Sequence, residues 1–74
     1  MQFDFSKLLG RIKEFGYTQE GLAEEIGISK VTMSLKLNNK AFFTTLEIEK
    51  IRKVLRIACE EIGVYFFTPK VQKN

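Results

Sequence analysis

The 74-residue chain contains no histidine, one cysteine and one proline. Without histidine, general base chemistry near neutral pH and most zinc sites lose their commonest residue. A lone cysteine, Cys59, makes an intramolecular disulfide impossible, and it is expected as a buried or half-buried small apolar side chain. The glycines are scattered between helical patterns, so there is no Gly-rich phosphate loop. No apolar run approaches the ~18 residues of a membrane span, and no signal-peptide pattern opens the chain, so a cytoplasmic product is expected. The adjacent acid pairs Glu24–Glu25 and Glu60–Glu61 diverge on a helix and cannot share a substrate as paired catalytic carboxylates do. An enzyme is not expected.

Acidic residues are missing from one stretch in particular. Between Ile26 and Leu46 there is none, while Lys30, Lys36 and Lys40 fall inside that window and the acids gather on either side, in Glu20 to Glu25 and Glu47 to Glu61. The formal net charge is only +3, so the segregation matters more than the total. Such a window suits phosphate contact, because each neutralised phosphate releases counterions, although a solvated lysine face reads equally well. Chain length predicts one domain of modest stability, since a chain this short buries only roughly 60% of its unfolded surface.

The most informative stretch is Gln19 to Asn38, QEGLAEEIGISKVTMSLKLN. Thr18 can cap a helix whose inward side is Leu22, Ala23 and Ile26. Gly27 supplies the positive φ that ends it, Ile28 plugs the corner and Ser29 caps the next helix. Met33 and Leu37, one turn apart, hold that second helix down. The linker is short enough to force a tight helix-helix corner.

With Gln19, Ala23, Gly27, Ile28 and Met33 in first, fifth, ninth, tenth and fifteenth place, this stretch resembles the helix-turn-helix of phage Cro and repressor proteins, an XRE-like type. SKLLGRIKEFGYTQ before it and LKLNNKAFFTTLEIEKI after it also look like flanking helices of small Cro-like proteins. Lys36 departs from the pattern, standing where the family usually buries an apolar residue, and Gly21 stands where an acid is common. The resemblance implies an all-α fold, a compact five-helix lambda-repressor-like domain spanning residues 1–74, with the motif at about 18–38 and a short flexible basic tail at about 69–74.

Around the motif, Asp4 or Ser6 can cap a first helix carrying Leu8, Leu9, Ile12 and Phe15 inward and Lys7, Arg11 and Lys13 outward, closed by Gly16. Phe3 and Phe5 are expected to fold back onto the core. Thr44 and Glu47 form a capping box and Phe43 with Ile48 a hydrophobic staple, so another helix starts at about Thr45 with Leu46 or Ile48, Ile51, Val54 and Leu55 inward. Phe42 either packs over the motif helices, the preferred reading, or lies exposed. The final segment, ACEEIGVYF, is read as a short helix stopped by Pro69, whose rings complete the core or face a twofold partner.

The resemblance also implies a site. The second motif helix would enter the major groove of operator DNA. Ser29, Lys30, Val31, Ser34 and Leu35 would read bases, with Lys30 on guanine and Val31 on a thymine methyl. Leu35 would either touch a methyl or bend inward to supply the packing that Lys36 cannot. Gln19, Asn38, Asn39, Lys40, Thr44 and Thr45 would grip phosphates. The expected function is a Cro-like transcriptional repressor acting as a weak homodimer, with half-site centres about 34 Å apart and no cofactor or metal. The alternative is a small phage modulator or antirepressor of the same fold that binds a partner repressor protein.

Overall fold

The structure is a computed structural model that describes residues 2–71. Five α-helices follow one another: α1 (Ser6–Glu14), α2 (Gln19–Ile26), α3 (Lys30–Leu37), α4 (Thr45–Val54) and α5 (Ile62–Phe66), the last preceded by a 3-10 turn at Cys59–Glu61. Within the described residues there is no strand, only a single antiparallel bridge between Phe3 and Pro69. The all-helical fold expected from the sequence is therefore the one observed. Residues 72–74, the end of the tail expected to be flexible, lie outside the described residues.

Local chemistry accounts for the corner at the middle of the chain. The Thr18 hydroxyl accepts the Gly21 N–H at 2.9 Å, and the Ser29 hydroxyl accepts the Thr32 N–H at 3.0 Å, so both motif helices begin on a side-chain cap. Gly27 ends α2 in the left-handed region at φ 84°, a conformation that costs a residue with a Cβ about 1–2 kcal/mol. Helix α4 starts on the full Thr44–Glu47 capping box. Gly21 occupies the corresponding third position of α2, which leaves that helix without the reciprocal carboxylate.

The core is continuous across the helices. Leu8, Leu22, Met33, Ile51 and Leu55 are completely buried, joined by Ile12, Ala23, Ile26, Leu37, Ile57 and Phe66. Each such aliphatic or aromatic side chain contributes about 1.5–3 kcal/mol on burial. Helix α2 packs against α3 and α4, while α1 packs against α5. The spacing misplaces Leu9, which lies on the outer face of α1 at 38% exposure, and of the two candidates on α4 it is Ile48 that packs against the core, with Leu46 64% exposed. Arg11, expected in solvent, instead serves the end of α4. Its Nε donates to the Leu55 carbonyl at 2.9 Å and its Nη2 to the Arg56 carbonyl at 2.9 Å, with the guanidinium 4.5 Å above the Phe15 ring. Those carbonyls are among the groups a helix end leaves unpaired. Cys59, expected to be at least half buried, is exposed in the 3-10 turn.

At one end of the bundle the aromatic side chains form a connected ladder. Phe67 meets Phe3 edge-on at 5.6 Å, Phe3 meets Phe5 at 6.4 Å, Phe5 meets Phe43 edge-on at 5.6 Å, and Phe43 meets Phe66 at 5.4 Å. Such edge-to-face pairs set positive ring edges on negative faces and add about 0.5–1.5 kcal/mol each beyond burial. The N-terminal arm thus folds back as expected. It is held there by main-chain bonds from Asp4 N–H to the Thr68 carbonyl at 2.7 Å and from Lys70 N–H to the Gln2 carbonyl at 2.9 Å. Tail residues up to Lys70 are consequently paired with the arm.

The other edge of the arm is closed by Asn39. Its Oδ1 accepts the Phe3 N–H at 2.8 Å, and its Nδ2 donates to the Phe3 carbonyl at 2.9 Å. The side-chain amide therefore does what a neighbouring strand would do. Asn39 also holds φ at 63° just beyond α3, a region Asn tolerates better than other residues with a Cβ.

Two charged residues set how α3 lies on α4. Lys36 is the one buried charged residue among those described, 7% exposed, and its Nζ is hydrogen-bonded to Oε1 of Glu47. The same oxygen accepts the Thr44 N–H at 2.9 Å. Burial opposes the charged form of Glu47, but the hydrogen bonds from Lys36 and Thr44, with the Lys36 charge, outweigh it and hold the carboxyl below its ordinary value.

Two predictions come from these contacts. Asn39→Gly keeps the backbone conformation and loses the clasp, so it should cost about 1–2 kcal/mol in denaturant unfolding; Asn39→Ala also meets the left-handed strain and should cost at least about 1 kcal/mol more. Equal losses would show that the strain contributes nothing. Because the folded-state pKa of Glu47 is lowered, its contribution is present above its ordinary value of 4.5 and is lost as pH falls through the folded value. Wild type should therefore lose more stability than Glu47→Gln between about pH 6 and about pH 3. Parallel curves for the two proteins would remove the ion pair from the account.

Candidate functional site

All the expected contact residues except Asn39 are exposed. The second motif helix, α3, presents Ser29, Lys30, Val31, Ser34 and Leu35 on its outer side, with Met33, Lys36 and Leu37 turned inward. The question about Leu35 is thereby answered: it stays outside, and Lys36 goes in. Energetics explain why this needs Glu47. Burying Leu35 would be worth about 1.5–3 kcal/mol, whereas an unpaired buried ammonium costs several kcal/mol. The observed orientation keeps Met33 and Leu37 buried, and the Glu47 carboxylate supplies the partner that the buried ammonium requires.

The outer face of α3 is chemically mixed. The Ser29 hydroxyl is engaged by Thr32, accepting its N–H and donating to its Oγ1 at 2.8 Å. The Ser34 carbonyl accepts from Asn38 Nδ2 at 2.8 Å, and the Ser34 hydroxyl lies 3.3 Å from the same nitrogen. Lys30 Nζ stands 3.5 Å from Oε2 of Glu20 on α2. An exposed pair of that kind is worth little, at most about 1 kcal/mol, and would yield to a phosphate or base.

Apolar groups dominate the remainder. Val31 is 68% and Leu35 42% exposed, one turn apart on α3. Phe42, preferred as packed over the motif helices, is instead 76% exposed in the loop after α3. Leu46 follows at the start of α4, where the Lys36–Glu47 pair brings that helix end against the last turn of α3. Contiguous exposed apolar side chains mark a surface that meets another molecule, and Val31 with Leu35, one turn apart on α3, form such a pair. Beside Phe42 an apolar cleft opens among Phe3, Phe5, Phe43, Ile48 and Phe67, over the aromatic ladder.

The expected phosphate ligands divide. Gln19, Thr44 and Thr45 lie at the exposed starts of α2 and α4, and Lys40 is exposed in the loop. Asn38 bonds back to Ser34, and the Asn39 amide is engaged by Phe3. Asn39 is therefore a clasp for the arm rather than a free phosphate donor. Sequence reasoning missed this role because its partner is a backbone group 36 residues away. It also missed the pairing of Lys36 with Glu47, for which two signals existed: a lysine at an inward helical position and a carboxylate fixed by a capping box.

Known proteins place this arrangement. A solved structure, the solution structure of the modulator of repression (MOR) of the temperate bacteriophage TP901-1 from Lactococcus lactis, superposes with a TM-score of 0.78 at 43% sequence identity, covering 97% of each chain. No curated protein matches the sequence. The sequence resemblance pointed to Cro and repressor proteins, whereas the relative found is a phage modulator of repression of the same small helical type. The family described as "Protein of unknown function (DUF739)" matches residues 1–69, and the chain belongs to it.

Proposed function

We propose that this chain is a phage modulator of repression that acts by binding the phage's repressor protein. The observation that carries the reading is the 43% identity over 97% of both chains to a modulator of repression. The site supports it physically. A reader of operator DNA places hydrogen-bonding and cationic groups on its recognition helix, since bases are distinguished mainly by donors and acceptors. Here Val31 and Leu35 occupy two of those places, and Phe42 and Leu46 extend the apolar surface beyond the helix. Aromatic and aliphatic side chains of this kind anchor protein interfaces, where a few buried residues carry most of the energy. The protein works by occupancy, without catalysis, in the cytoplasm of the bacterial host.

The acid-free window favours a second reading, direct operator binding of the Cro type. Lys30 and Lys40 are exposed there, near the starts of α3 and α4. Salt separates the two. Operator binding by this chain alone would weaken with a log-log slope of roughly −0.9 per phosphate contacted. Within that reading, Lys30→Ala would relax discrimination at one base pair at a cost of about 1–3 kcal/mol, and Lys40→Ala would weaken all sequences alike.

For the proposed function, titration calorimetry of the purified chain against the repressor encoded by the same phage should give a saturable complex. The double variant Val31→Asp with Leu35→Asp, altering two exposed side chains, should bind at least about tenfold more weakly, or about 1.4 kcal/mol, with an unchanged circular dichroism spectrum. Absence of heat or co-elution for the wild type at tens of micromolar would sink the reading.

A further inference from the structure

The loop between α3 and α4 leaves both its main chain and its largest side chain without partners. From Ala41 to Phe43 no main-chain N–H or carbonyl is hydrogen-bonded within the described residues. On either side the chain is tied down: the Lys40 N–H donates to the Leu35 carbonyl at 2.8 Å, and the Thr44 N–H to Glu47 at 2.9 Å. The segment is thus fixed at its ends and open in the middle. Main-chain donors and acceptors left to solvent in this way are what an added strand uses.

The same segment borders the apolar cleft. Ala41, Phe42 and Phe43 line it together with Ile48 and Phe67, and the Phe42 ring is 76% exposed. Asn39, the one polar side chain in the lining, has both ends of its amide engaged by Phe3. With no free side-chain donor or acceptor there, the group that enters must be apolar. The acids adjacent in sequence to cleft residues are all engaged: Asp4 by Ser6 in the field of Lys70, Glu47 by Lys36 and Glu49 by Arg52. Lys40, between Asn39 and Ala41, has no ion-pair partner among the described residues. The charge left unbalanced beside the cleft is therefore positive.

We infer that the cleft and the Ala41–Phe43 main chain together receive an extended segment of the repressor, with one large apolar side chain in the cleft and an acidic residue beside it on Lys40. The inference rests on the proposed binding of a repressor protein and adds a second point of attachment, apart from Val31 and Leu35. An extended occupant is required because a helix has no main-chain groups to spare for Ala41–Phe43. Main-chain pairing supplies affinity with little sequence preference, while the cleft and the lysine select which side chains lie next to each other.

The test uses the full chain, carbon-13 labelled at its methyl groups, with the unlabelled repressor of the same phage. In the complex the Ile48 methyl signals should show nuclear Overhauser contacts to apolar side chains of the repressor. Residues of an extended segment alternate in direction, so either the Phe42 amide or those of Ala41 and Phe43 should exchange with solvent at least about tenfold more slowly than in the free chain. Phe42→Ala and Lys40→Glu, both at exposed positions, should each weaken binding at least about fivefold with an unchanged circular dichroism spectrum. A complex that forms without contacts at Ile48, or without slowed exchange in Ala41–Phe43, overturns the inference. So do contacts at Ile48 that come from a second copy of this chain, or folded variants that bind like the wild type. Should a variant not fold, the wild-type contacts and exchange rates decide alone. Failure of the wild-type chain to bind the repressor is a separate result, which removes the proposed function itself.

Discussion

The burial of Lys36 against the Glu47 carboxylate is the interaction that ties the last turn of α3 to the start of α4, beneath the exposed face of the protein. Lys36 lies at an inward position of α3 and meets the Glu47 carboxylate at the start of α4. Desolvating both ions costs several kcal/mol each, and the pair is tolerable because the carboxylate also accepts the Thr44 main chain. Apolar packing of Met33 and Leu37 sets the face that α3 turns inward, and the ion pair ties its last turn to the start of α4.

The ends of α3 are secured by separate means. Ser29 caps its start, and Asn39, just beyond its end, clasps the N-terminal arm through both ends of its amide. The arm in turn anchors the Phe67–Phe3–Phe5–Phe43–Phe66 ladder, which closes the bundle next to the exposed Phe42. A surface that is rigid before it meets its partner loses less entropy on binding. The outer face of α3 has that character, since its backbone is held at the start, the middle and the end by bonds that leave Val31 and Leu35 free.

Most of the helical framework was legible in the sequence because it depends on neighbours in the chain. Thr18, Gly27, Ser29 and the Thr44–Glu47 box are local devices, and each appears at the expected helix end. The inward positions Leu22, Ile26, Met33 and Ile51 follow from periodicity alone. What escaped depends on contacts between distant segments. The Asn39 clasp and the capture by Arg11 of the Leu55 and Arg56 carbonyls, just past α4, join residues that no spacing rule connects. Leu9 and Cys59 were misplaced for a related reason, since periodicity marks a face but does not show where its neighbour ends. The site was legible as a surface, and ten of its expected residues are exposed, with Asn39 the exception. Its proposed partner was harder to read, because a fold does not fix what its surface binds and the proposed role rests on a few side chains such as Val31 and Leu35.

The central claim is that this face engages a repressor and not the operator. Footprinting of the phage operator with the repressor, with this chain, and with both together tests it most directly. The account predicts that the repressor alone protects the operator, that this chain alone leaves it unprotected, and that adding the chain alters the repressor's protection in proportion to complex formed. Protection of the operator by this chain alone, with the repressor's footprint unaffected by it, would contradict the account.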